Sequence, residues 1–141
     1  MDRFPAKPEL IGFFECEPEV LDPGTAWLYN HLTFITARGQ DKVQCVIEPA
    51  SMILRMWWWR GDPELVSLDA NCVNGLEIET EDGREILIAS FSEEHQLFPL
   101  RIQLKPSVHV FGALVISRDE TQDSGLSHRG AVFLNAAYSA V

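Results

Sequence analysis

At 141 residues the chain is long enough for one domain with a real hydrophobic core and needs no covalent staples. Its 46% hydrophobic and 23% charged residues are ordinary for a globular protein, but the net charge of −10 and a pI near 4.7 lie well to the acidic side. That acidity argues against nucleic acid, which needs clustered Lys and Arg, and against an anionic membrane surface, while it suits solubility or a basic partner steered in by the field.

The first 26 residues hold Pro5, Pro8, Pro18 and Pro23, which predicts an irregular arm with no long helix. Leu10–Cys16 could add a short strand, and Glu15, Glu17 and Glu19 follow at period two, so an extended chain would align three carboxylates. The opening residues carry no signal-peptide apolar region. The longest uncharged runs, 106–117 and 130–141, are too short to span a bilayer. Cys16, Cys45 and Cys72 match neither a zinc knuckle nor a redox pair, and Cys45 and Cys72 read as small buried hydrophobes. A reduced, cytoplasmic setting is expected.

From Trp27 onwards, alternation predicts strands. Leu28–Arg38 and Lys42–Glu48 flank a Gly39-Gln40-Asp41 loop, and Pro49 then breaks the ladder. After a Gly61-Asp62-Pro63 turn, Glu64–Asn71 sets Val66, Leu68 and Ala70 on one face and Leu65, Ser67 and Asp69 on the other. Asn74-Gly75 reads as a turn. Asp82-Gly83 is the strongest hairpin signal, because both central residues of a type I′ turn need positive φ. It joins Leu76–Glu81 to Glu85–Phe91. Ser92-Glu93-Glu94 precedes Leu97–Lys105, where Leu100, Ile102 and Leu104 point inward, and Ser107–Leu114 follows a bend at Pro106. Residues 117–130 are polar and read as a linker or disordered loop, and 130–141 as a short docking strand or helix or, by the default for termini, an apolar tail. The expected fold is all-β: one antiparallel sandwich or flattened barrel built from hairpins over residues 1–116, with a loosely attached C-terminal segment.

The centre of the pattern is Ser51–Arg60, which holds three of the four tryptophans side by side. Strand parity puts Met52, Leu54, Met56 and Trp58 on one face and Ile53, Arg55, Trp57 and Trp59 on the other. The first set reads as core. The second is either covered core or an aromatic binding platform, and Arg55 within it implies solvent, a partner carboxylate or a ligand.

No nucleophile elbow, phosphate loop, dinucleotide fingerprint or zinc-protease motif is present, and His31, His95, His109 and His128 have no metal-ligand spacing. Asp69 lies between apolar neighbours but points outward by parity. Arg60-Gly61-Asp62 is better explained as turn chemistry than as an adhesion signal. No cofactor, metal or enzymatic activity is expected. Two candidate binding surfaces remain: Arg55, Trp57 and Trp59, and the acidic row Glu77, Glu79 and Glu81, whose bland reading is a solvated strand face. Small size, acidity and the lack of a catalytic constellation give the chain the general character of immunity or antitoxin proteins. A protein-binding module for a basic partner is therefore the first expectation, and a small-ligand carrier with a barrel mouth lined by the tryptophans is the alternative.

Overall fold

The computed structural model describes residues 1, 3–91 and 99–112, together with the backbone of 132–136. It is an all-β protein in which two antiparallel sheets share one core. The first sheet has the order β1 (Glu19–Val20), β2 (Leu32–Arg38), β3 (Asp41–Glu48), β4 (Ile53–Arg60), β5 (Glu64–Ala70) and β10 (Val132–Ala136). The second has the order β6 (Val73–Glu81), β7 (Arg84–Phe91), β8 (Leu100–Gln103) and β9 (His109–Phe111). Chain order equals spatial order from β1 to β5 and from β6 to β9, as short connections demand. Among the described strands the two sheets do not pair with each other, which is the arrangement of a two-layer sandwich.

The turns follow backbone chemistry. Asp82 (φ 53) and Gly83 (φ 77) both take positive φ between the paired Glu81 and Arg84, the requirement of a type I′ hairpin. In the two-residue loop between Arg38 and Asp41 only the first residue, Gly39 (φ 61), takes positive φ. Gly83→Val should therefore cost roughly 1–2 kcal/mol, since a β-branched residue resists the left-handed region. A melting temperature indistinguishable from wild type would contradict this turn geometry.

Parity determines the core. Leu54, Met56 and Trp58 of β4 face inward beside Val43, Cys45 and Ile47 of β3 and Val66, Leu68 and Ala70 of β5. Leu76, Leu87, Ala89, Leu100 and Ile102 supply the second sheet's share of the same cluster. Leu104 lies just beyond β8 and is buried as expected.

Four expectations are corrected. Residues 10–16 form no strand: α1 (Lys7–Phe14) is a helix, so the arm is not irregular throughout. Pro8 falls in its first turn, where a missing N–H costs nothing, and Glu9 Oε1 accepts the Ala6 N–H at 2.9 Å. Leu10, Phe13 and Phe14 form its apolar stripe and are wholly buried. The Phe14 ring stacks on Phe34 of β2 at 4.3 Å, with Phe13 edge-on to Phe14 at 5.0 Å. Glu15 (φ 59) is the left-handed C-cap, so the period-two run of carboxylates is broken at its first member. It instead accepts from Arg38 of β2 at 2.9 Å and from Lys105, just beyond β8, at 3.0 Å.

Residues 132–136 pair with the outer edge of β5, with Leu134 opposite Leu68. Second, Met52, expected on the core face, ends a 3-10 turn at φ 59 and is exposed, so β4 begins at Ile53. Third, Asn74-Gly75 lies inside β6, where the register with β7 shifts between Val73 and Gly75; the expected turn is a strand irregularity. Fourth, residues 27–29 form a 3-10 turn and β2 begins at Leu32. The predicted turn at 92–94 and linker at 117–130 lie outside the described residues.

Two candidate binding faces

From Ile53 onwards the tryptophan strand divides as parity requires. Trp58 is inside, and its indole N–H donates to Asp41 Oδ1 at 3.0 Å. Arg60 Nε donates to the same oxygen at 2.9 Å while its guanidinium lies 5.5 Å from the Trp58 ring centroid. This group closes one end of the core. Burial alone would raise the Asp41 carboxyl, but the hydrogen bonds from Arg60 and Trp58 and the Arg60 charge outweigh it and hold the pKa below the usual aspartate value. A depressed pKa contributes stability that is complete above the ordinary aspartate range and is lost as pH falls through the folded value, that is, below about pH 4. Asp41→Asn should lower stability at neutral pH and flatten the acid limb of a melting-temperature profile. An unchanged acid limb would contradict the assignment.

Trp57 and Trp59 are on the opposite, outer face and are half-buried. In register, Gln44, Trp57 and Ser67 form one row and Val46, Arg55 and Asp69 the next. Lys42 stands opposite Trp59 with its ammonium 5.3 Å from the ring centroid. Arg55 has a partner carboxylate: its Nε donates to Asp69 at 3.3 Å. Because Leu65 is skipped in the pairing of Trp58 with Val66 and Trp59 with Glu64, the strand twists more at that end of the platform. With Trp58 in the core and Trp57 and Trp59 on the outer face, the three adjacent indoles do not share one wall. The outer face thus carries two half-buried indoles, with a cation over Trp59 and an ion pair in the row beside Trp57.

The acidic row is on the outer face of the second sheet. Glu77, Glu79 and Glu81 stand opposite Ile88, Ile86 and Arg84 of β7. Two of the three acids are already paired. Arg3 donates to Glu77 at 3.0 Å, and Arg101 of β8 donates to Glu81 at 3.0 Å. Arg101 sits opposite Ile88, two same-face pairs away from Glu81, so its side chain reaches diagonally across β7. No described residue pairs with Glu79. The row is thus less negative than its sequence, and its middle carboxylate carries the unspent charge.

Sequence reasoning finds the six candidates but none of these partners. Arg3 is 74 residues from Glu77 and Arg101 is 20 from Glu81, and only strand register brings them together. His31 Nδ1, at 2.6 Å from Glu48 Oε2, is a rim pair of the same kind.

Catalytic chemistry gains little from the geometry. Burial pushes the Cys45 thiol far up and the Cys72 thiol up to about 11, so both stay protonated. Ser107 Oγ and His109 Nε2 are 3.0 Å apart but exposed, and no described carboxylate orients the ring. Among the described residues no three His, Cys, Asp or Glu side chains gather as a metal site, and no helix is long and apolar enough to cross a membrane.

No family model matches the chain, and no curated protein matches it in sequence. Among solved structures, it is similar to a chain of the contact-dependent growth inhibition toxin–immunity protein complex from Klebsiella pneumoniae 342. The TM-score is 0.69 and the identity 14%, with 79% of this chain and 96% of that one covered. At that identity the likeness is one of fold: this two-sheet architecture also occurs within a toxin–immunity complex.

Proposed function

We propose that this protein is a non-enzymatic binding module of the immunity type, which neutralises a basic protein partner in the cytoplasm by holding it in a stoichiometric complex. The observation that weighs most is the fold it shares, over nearly the whole length of the compared chain, with a member of a toxin–immunity pair. Its net charge of −10 supports a cationic partner, because a field of that sign raises the rate of encounter. The two faces divide the work. Glu77, Glu79 and Glu81 steer, and the platform of Arg55, Trp57 and Trp59 holds.

The experiment is affinity capture from the native cell extract, followed by binding kinetics for two triple variants. Changing Glu77, Glu79 and Glu81 to Lys should slow association by an order of magnitude or more. Folding stability should move little, since the ion pairs lost to Arg3 and Arg101 are exposed and each contributes less than about 1 kcal/mol. Changing Arg55, Trp57 and Trp59 to Ala should instead raise the dissociation rate. Recovery of no partner, together with small-molecule quenching of tryptophan fluorescence, would overturn the proposal.

A further inference from the structure

Resting on the binding reading above, we infer that the open edge of β6, at Ile78 and Thr80, is a docking edge for an extended segment of the partner carrying Lys or Arg at alternate positions. β6 is an outer strand of its sheet, with only β7 beside it among the described strands. Across a two-residue hairpin the flanking residues exchange both hydrogen bonds, so Glu81, Glu79 and Glu77 turn their backbone groups towards β7. Leu76, Ile78 and Thr80 must turn theirs the other way. The Leu76 N–H shows this directly, donating outward to Arg3 O at 3.0 Å.

The N-terminal arm begins to add a strand here and stops. Arg3 forms a one-residue parallel bridge with Gly75, and Pro5, which has no N–H to give, ends the pairing. A surface cleft opens where the arm departs, between Phe4 and Pro5 on one side and Leu76, Glu77 and Ile78 on the other. Beyond it, the N–H and C=O groups of Ile78 and Thr80 have no hydrogen-bond partner among the described residues. Exposed edges of this kind accept a further strand by main-chain bonding alone, and side chains then select which strand.

Here the selection is by charge. A strand added to β6 would set alternate side chains beside Glu77, Glu79 and Glu81 on the outer face, at cross-strand contact distance. Glu79, the member with no described partner, stands in the middle of that row. A second copy of this edge would meet like charge and be repelled, whereas a cationic strand would be drawn in. Its other side chains would lie beside Ile78, which packs against the core.

The test is backbone amide exchange on the full chain, with and without the peptide acetyl-Lys-Val-Lys-Val-Lys-amide or its glutamate counterpart. The lysine peptide at saturation should slow exchange at Ile78 and Thr80 by about tenfold or more, and the glutamate peptide should leave both unchanged. Thr80→Pro should abolish the protection at Ile78 and still fold, because the N–H it removes bonds to nothing in the sheet. Glu79→Lys, which keeps the backbone intact, should weaken the lysine peptide by about tenfold. Unchanged exchange with the lysine peptide, or equal slowing by both peptides, would overturn the inference. So would a captured partner that binds Thr80→Pro as tightly as wild type, and that result would leave the binding reading standing. Protection by the peptide with no partner recovered from cells would do the reverse.

Discussion

Trp58→Ala should cost about 3–5 kcal/mol of folding stability, the range for emptying a large aromatic site in a packed core. Trp58 is only 3% exposed and belongs to the central cluster. Its loss would also leave Asp41 without the indole donor and Arg60 without the ring beneath its guanidinium. Trp58→Phe separates the two contributions. It keeps most of the packing but removes one hydrogen bond, a difference of about 1 kcal/mol. Urea unfolding of the two variants, with Trp57→Ala and Trp59→Ala for comparison, measures this. A near-native midpoint for Trp58→Ala beside collapse of the outer-face variants would mean that the parity of β4 is reversed.

Gly112→Ala should be comparably damaging, for a reason that packing tables miss. Gly112 follows β9 with φ +140, and a Cβ built there would lie 2.4 Å from the Pro99 carbonyl oxygen and 2.8 Å from Leu100 Cα. Both neighbours are backbone at the start of β8, so no rotamer change can make room. Holding an L-residue in that conformation costs roughly 1–3 kcal/mol, and forcing the strands apart a similar amount. Gly12, in α1, makes the contrast, since nothing lies within 4 Å of its would-be Cβ. Gly12→Ala should stabilise by roughly 0.5–1 kcal/mol. Thermal melts that show equal shifts for the two substitutions would contradict the close approach of Gly112 to β8.

The contrast between these residues shows what is legible in the sequence. The inward set of β4 follows from parity alone, because a strand buried on one face has no other register, and Asp82-Gly83 follows from the φ angles its turn needs. The helix is legible too, but a count of prolines hides it. Four prolines in 26 residues outweigh the 3-and-4 spacing of Leu10, Phe13 and Phe14, yet Pro8 sits where a helix tolerates it. The strand at 132–136 needs β5 as a template. Five residues of small and apolar character do not announce that Val132 will lie opposite Ala70, or Ala136 opposite Val66, at so great a distance along the chain.

The candidate faces divide in the same way. Membership of each face is readable, since side-chain alternation assigns Trp57 and Trp59 together and Glu77, Glu79 and Glu81 together. Their electrostatics are not. Arg55 meets Asp69, Arg3 meets Glu77 and Arg101 meets Glu81 only once the register of separate strands is known. The edge position of β6 among the described strands is likewise invisible in sequence, being a property of which strands pair.

The most direct test of the account is the salt dependence of association between the wild-type chain and its captured partner. Between roughly 0.01 M and 1 M ionic strength the Debye length shrinks from about 30 Å to about 3 Å, which removes long-range steering while sparing short-range contacts. An acidic module that steers in a basic protein predicts an association rate that falls by an order of magnitude or more, with a dissociation rate that changes far less. A complex whose association rate is indifferent to salt, or the absence of any stoichiometric complex, would contradict it.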